Sequence, residues 1–204
     1  MLRALALTVL LLLPATAARA AEPIGRVSRL QGTAQLRSDG VWSLLRPLAA
    51  VHQGDIVATA AGARAEISLD DGTVLTLGEN AQLQLDEFVF QPAGRNNRME
   101  IAAIGAFRFV SGTLDGSPAK RARIRTASAT LGIRGTDFWG GPIDERYGVL
   151  LLDGAVEVST AVGSVLLERP GQGTNLDGVG APPGPVTSWP RDKVERALAS
   201  VAFR

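Results

Sequence analysis

The segment Lys120-Arg121-Ala122-Arg123-Ile124-Arg125 offers the most chemistry for its residue types and spacing. As a strand, it puts Arg121, Arg123 and Arg125 on one face and Ala122 and Ile124 on the other. Three guanidinium groups in a row can grip carboxylates or phosphates through paired N–H donors. The row is therefore a candidate contact for an anionic ligand: an envelope lipid, a cell-wall polymer or a chelated carboxylate. The plainer reading is a solvated sheet face balanced by acids on neighbouring strands, such as Glu100 or Glu157. That reading is preferred, because a like-charged row needs opposite charge beside it in any case.

The other chemistry-bearing patterns weaken in their local context. Ser117-Pro118-Ala119-Lys120 has the Ser-x-x-Lys spacing of penicillin-interacting serine enzymes. There, one helical turn sets the amine beside the hydroxyl; here Asp115-Gly116 and Pro118 make a turn. Asp70-Asp71-Gly72 lacks the alternating oxygen ligands and closing glutamate of a calcium loop, so a hairpin turn is expected. Asp153 and Glu157 near a turn are ordinary neighbours, and the single histidine, His52, reads as part of a surface turn at Gln53-Gly54-Asp55. With no cysteine, the chain has no disulfide, no thiolate nucleophile and no cysteine metal site. No catalytic residue, metal site or cofactor is expected.

Charge and targeting narrow the class further. The 204 residues carry 21 Lys and Arg against 20 Asp and Glu, which argues against nucleic-acid binding by bulk positive charge. Met1-Leu2-Arg3, the apolar run Ala4 to Leu13, Pro14 and Ala18-Arg19-Ala20 form a secretory leader, with cleavage expected after Ala20. The run is too short to span a bilayer, and the densest later one, Val149 to Leu152, is shorter still. The mature chain is expected to be periplasmic or secreted, with no transmembrane segment.

Positioning falls to strands. Ala65 to Leu69, Leu75 to Leu77, Leu83 to Leu85, Phe107 to Phe109, Ile124 to Thr126 and Val156 to Val158 alternate apolar with polar residues. Asp39-Gly40, Asp71-Gly72, Asp115-Gly116, Asp153-Gly154 and Asp177-Gly178 supply the positive φ that tight turns require. The fold class is all-β: a single domain of many short strands, solenoid-like or a twisted β-sandwich, with a short C-terminal helix. Gly32, Gly72, Gly112 and Gly154 follow one another at intervals of 40, 40 and 42 residues, a weak repeat signal. The expected organisation is a leader over 1–20, a β domain over 21–175, a Gly/Pro linker over 176–187 and a helix over 188–204. Val194, Ala197, Leu198 and Val201 form the apolar stripe of that helix, which is too short to stand alone.

Taken in order, the motifs resemble the FecR domain. The resemblance begins at Gly25-Arg26-Val27 and Gly32-Thr33-Ala34, then runs through Gln53-Gly54-Asp55-Ile56-Val57-Ala58-Thr59. It continues through Ala65-Glu66-Ile67-Ser68-Leu69-Asp70-Asp71-Gly72-Thr73-Val74-Leu75-Thr76-Leu77 and Ile124-Arg125-Thr126-Ala127. Ile133-Arg134-Gly135-Thr136-Asp137-Phe138, Asp153-Gly154-Ala155-Val156-Glu157-Val158 and Pro170-Gly171-Gln172-Gly173 complete it. Read as structure, Gly135 bends the backbone at a strand start and Arg134 is expected to bridge Asp137.

The resemblance implies a periplasmic all-β domain whose work is protein contact. In the family's iron-uptake regulators, the domain receives a signal from an outer-membrane ferric citrate or siderophore transporter and relays it to a sigma factor. With a cleaved leader, no cytoplasmic helical segment and no spanning helix, this chain is expected instead to be a non-enzymatic interaction module whose partner is an envelope protein. The alternative is a component of a transmembrane signalling or iron-uptake system that works through a separate membrane partner. An envelope hydrolase or ligand-binding protein using the Arg121, Arg123, Arg125 strand is the reading from a third class.

Overall fold

Period-two alternation in the sequence becomes alternation of burial in space. The computed structural model describes residues 22–91, 97–112 and 121–204, except for the side chain of Arg121. In β6 (Arg64–Leu69), Ala65, Ile67 and Leu69 are buried, while Glu66 and Ser68 between them are half-exposed. β8 (Gln82–Val89) and β9 (Arg98–Ile104) repeat the pattern, burying Leu83 and Leu85, then Met99, Ile101 and Ala103.

The strands form one curled, half-barrel sheet with two arms. The first arm runs through β4 (Ala50–Val51), β1 (Gly25–Gln31), β6, β7 (Val74–Leu77) and β10 (Phe107–Val110). The second runs through β3 (Val41–Leu44), β2 (Ala34–Ser38), β5 (Ile56–Thr59), β8, β9 and β11 (Arg121–Arg125). The chain crosses repeatedly between the arms as it proceeds. Both arms end on one edge of β12 (Thr130–Ile143): β11 pairs with its first half, β10 with its second. The other edge of β12 pairs with β13 (Arg146–Thr160), which in turn carries β14 (Gly163–Leu167) and β15 (Gln172–Leu176). The inner faces of both arms share one apolar core, in which the Phe138 ring lies 5.8 Å from Phe107 and 5.5 Å from Phe109.

A second, smaller core lies on the opposite face of β12 and β13. Trp139 and Leu150, each next in sequence to a main-core residue, pack there with Ala106, Ile143, Trp189, Ala197 and Val201. Two-sided burial explains the unbroken apolar run Val149 to Leu152, since a strand covered on both faces has no wet side for polar residues. The covering element is α1 (Arg191–Ala199), approached through the Gly/Pro-rich segment and β16 (Thr187–Ser188), which pairs with β15.

Turn chemistry held at some Asp-Gly pairs and not at others. Asp39 (φ 49°) and Gly40 (φ 82°) close the two-residue β2–β3 hairpin, and Gly72 (φ 86°) sits in the β6–β7 turn. Asp153-Gly154 is not a chain reversal. It is an irregularity inside β13, opposite Gly135 of β12, where the register shifts between Arg134 and Asp137. Gly154 takes φ 79°, and a Cβ there would run into the Gly135 carbonyl oxygen. Two of the motifs singled out above are therefore one cross-strand feature. Asp115-Gly116 lies outside the described residues. The evenly spaced glycines mark no repeated unit: Gly32 links β1 to β2, Gly72 sits in a hairpin, Gly112 follows β10 and Gly154 lies mid-strand.

Candidate interaction surface

Of the arginine row, Arg123 and Arg125 lie on the outer face of the sheet. Arg121, Arg123 and Arg125 pair across to Arg98, Glu100 and Ala102 of β9, with Gly132 and Thr130 of β12 on the other side of Arg123 and Arg125. Arg125 is claimed by two acids: its Nη2 lies 2.6 Å from Asp86 Oδ2 and its Nε 3.2 Å from Glu100 Oε1. The hydrogen bond to Asp86, then the charges of Asp86 and Glu100, raise the guanidinium's pKa above its usual value. Arg98 pairs likewise with Glu87 at 3.0 Å. Glu157 stands in the same row as Arg123, one strand beyond Gly132. The row is thus interleaved with acids; Arg123 is exposed and its guanidinium faces solvent.

The remaining motif residues are occupied in building turns. Asp55, 2% exposed, accepts the His52 N–H at 2.8 Å and lies 3.5 Å from His52 Nδ1. Asp71 Oδ1 accepts the Thr73 N–H at 2.9 Å and its Oδ2 the Thr73 hydroxyl at 2.7 Å; Thr73 Oγ1 then accepts the Gly112 N–H at 3.1 Å. The family-like Asp-Gly-Thr turn of one hairpin therefore fastens the end of β10. Asp137 does not pair with Arg134, contrary to expectation. It takes a bidentate grip from Arg108 Nε and Nη2, at 2.9 and 2.6 Å, because the bulge at Gly135 turns Arg134 away to solvent. Register brings Arg108 and Asp137 next to one another on adjacent strands, a pairing local spacing does not encode. Ser117 and Lys120 lie outside the described residues. A cleft of about 480 Å³ beside the β2–β3 turn is lined by Arg37, Asp39, His52, Gln53, Asp55 and Gln84. Its buried carboxylate, Asp55, is already spent on the turn. Among the described residues, no three His, Asp or Glu side chains gather closely enough to hold a metal ion.

A surface missed by sequence reading emerges from the register of the second arm. Across β3, β2, β5, β8 and β9, one outer row reads Leu44, Gln35, Ala58, Gln82, Ile104. The next reads Trp42, Arg37, Ile56, Gln84, Ala102 and then Arg125 of β11. Leu44 is 65% exposed, Ile104 58% and Trp42 45%. Between Arg37 and Arg125, the patch holds only apolar and amide side chains, over roughly 20 Å at ~4.8 Å per strand. Exposed apolar area with Trp and Arg, and without Lys, Asp or Glu, is the composition of protein-contact surfaces. Single-residue alternation gave the faces; only the strand order joined them.

The C-terminal helix, by contrast, is not an open docking face. Ala197 and Val201 are buried in the second core, with Val194 packed against it. Trp139 Nε1 donates to Ser200 Oγ at 3.0 Å, and the Lys193 ammonium sits 4.1 Å from the centre of the Trp189 ring. Asp144, at the tip of the β12–β13 hairpin, binds Arg196 at 2.8 Å and Lys193 at 3.3 Å. Desolvation pushes the Asp144 pKa up, but hydrogen bonds and charge from Lys193 and Arg196 prevail and hold it below the usual carboxylate range. Among the described residues, no helix is long and apolar enough to cross a membrane.

Two crystal structures of a candidate anti-sigma factor from Parabacteroides distasonis, at 1.65 and 2.50 Å resolution, share this fold. Each superposes with a TM-score of 0.55 at 19% identity over 70% of the present chain, and the match spans 64% and 63% of their own lengths. The present chain thus covers less than two thirds of those proteins. No curated protein matches the sequence. The profile of the family described as FecR protein matches residues 55–157, half of the chain, taking in the Asp55 turn, the Asp71-Gly72-Thr73 hairpin and the paired Gly135–Gly154 bulge. The chain belongs to the FecR family.

Proposed function

We propose that this is an exported, periplasmic FecR-domain protein that acts in envelope signalling by binding another protein, without chemistry of its own. The observation that carries the reading is the outer face of the second arm: Trp42, Leu44, Ile56, Ala58 and Ile104 among glutamines, with Arg37 and Arg125 at its margins. Such a face suits a neutral, apolar partner surface with a carboxylate at the Arg37 end, since Arg125 at the other end is already paired with Asp86 and Glu100. The leader-like Met1 to Ala20 supports export, and the family supports a regulatory role. The anti-sigma factors of like fold favour a place upstream of gene expression, reached through a membrane-spanning partner.

The arginine row supports a second, narrower reading. Arg121 and Arg123, with Arg125 largely neutralised by Asp86 and Glu100, are the remaining candidates for contact with an anionic envelope component.

The test is crosslinking in the native envelope from a photoreactive residue at position 58 or 104, with captured partners identified by mass spectrometry. Ile104→Asp should abolish the capture of a reproducible protein while leaving the melting temperature unchanged. An intact Met1 on membrane-retained protein would remove the export part. The contact reading fails if no reproducible protein is captured and the purified chain turns over an envelope substrate.

A further inference from the structure

Among the described residues, the charge-bearing side chains that are buried are Asp55, Arg64 and Asp71. The two acids are spent on their turns. Arg64, 4% exposed, is not balanced in the same way: its Nη1 donates to the Ala63 carbonyl at 2.7 Å, and its Nε is buried with no partner. Among the described residues, no carboxylate pairs with it. Its Nη2 is neither bonded nor fully enclosed. The Nε–Nη2 edge is the one with which Arg108 holds Asp137, and in Arg64 it has no acceptor. A buried guanidinium in that condition is costly unless an anion completes it.

The surroundings are cationic. Arg64 lies in an outer row between Gln31 of β1 and Gly78, one step past the Ala65–Leu77 pair. The chain end crosses this row: a Cβ on Gly78 would come 2.8 Å from the Ser200 carbonyl oxygen, and the Arg204 N–H donates to Gln31 Oε1 at 2.8 Å. Arg29, two positions before Gln31 and so roughly 7 Å from it, places its guanidinium 4.0 Å from the centre of the Phe203 ring. Arg29 and Arg204 are exposed and, among the described residues, in no ion pair. The neighbouring acids are used elsewhere: Glu66 Oε1 by the Ser28 hydroxyl at 2.8 Å, Glu79 Oε2 by the Gly62 N–H at 2.7 Å.

We propose that Arg64, with Arg29 and Arg204, forms a site for a small phosphate anion. Two phosphate oxygens take the parallel N–H donors of the Arg64 Nε–Nη2 edge, and the two exposed arginines close over the rest. Three guanidinium groups beside acids already in use favour a dianion over a singly charged carboxylate. The depth of Arg64 favours a free ion over a headgroup held in the plane of a bilayer. The site lies on the first arm, away from Trp42 and Ile104, and does not rest on the protein-contact reading.

Phosphate stabilises proteins in general by its exclusion from their surfaces, so the test is differential. In inorganic phosphate at about one hundred times its Kd, the Tm of the purified chain should stand roughly 5–10 °C above that in sodium chloride of equal ionic strength. Arg64→Met, which leaves no buried charge, should lose most of that difference. Arg64→Lys, which keeps the charge and loses the fork, should bind phosphate at least tenfold more weakly. Phosphorus NMR reads binding apart from stability: the phosphate resonance should broaden with the unmodified chain and stay sharp with Arg64→Met. Equal Tm gains for the unmodified chain and Arg64→Met, or a resonance that the unmodified chain leaves sharp, overturn the proposal. So does co-sedimentation with phosphatidylglycerol vesicles that Arg64→Met abolishes, which assigns the site to a lipid headgroup instead. None of these results bears on partner capture from position 58 or 104.

Discussion

Replacing Trp189 with alanine should measure how much the C-terminal helix contributes to the fold. The side chain is 7% exposed and stands edge-on to Trp139 with ring centres 6.2 Å apart. It also fills the space over Gly148, where an added Cβ would come within 2.6 Å of its ring. Truncating a buried Trp costs about 3–5 kcal/mol. One offset applies: among the described residues the buried Trp189 Nε1–H has no hydrogen-bond partner, and removing it returns about 1 kcal/mol. The net loss should be about 2–4 kcal/mol. At roughly 2–4 °C per kcal/mol for a domain of this size, Tm should fall by roughly 5–15 °C. The nine-residue helix has little stability of its own, so residues 188–204 should also become sensitive to protease before the sheet melts. Urea and thermal unfolding give the first quantity and limited proteolysis the second. A loss under about 0.5 kcal/mol, the range of surface changes, would refute the account of α1 as a latch.

Gly154→Ala should be among the most damaging single changes, costing at least about 3 kcal/mol by denaturant unfolding, because it adds the left-handed penalty to a collision with the Gly135 carbonyl. Asp144 has its pKa depressed by Lys193 and Arg196, so its contribution is present above the usual carboxylate pKa and is lost as pH falls through the folded value. Acid should therefore loosen the helix, seen as a Trp139 and Trp189 fluorescence change with an acid-side midpoint, and Asp144→Asn should remove that transition. Tyr147→Phe should leave stability unchanged or raise it by about 1 kcal/mol in thermal unfolding, since among the described residues the buried hydroxyl has no partner to lose.

Local chemistry was enough to read much of this protein. Backbone alternation assigns each residue of Ala65 to Leu69 to one side of a strand with no knowledge of its neighbours, so the all-β class was legible. The Asp39-Gly40 and Asp71-Gly72 turns were legible for the same reason, since positive φ is a property of the residues themselves. So was the apolar stripe of Val194, Ala197 and Val201 on the terminal helix. Alternation names a side but not the strand that lies alongside. Register and strand order are decided by which closures the core allows, and they placed Arg108 beside Asp137, turned Asp153-Gly154 from a hairpin into a bulge, and set β9 parallel to β11. They also gathered Leu44, Gln35, Ala58, Gln82 and Ile104, spread over seventy positions of sequence, into one exposed row. Burial on both faces of Val149 to Leu152 likewise needed the helix to fold back, because a strand's own pattern cannot report what will cover it.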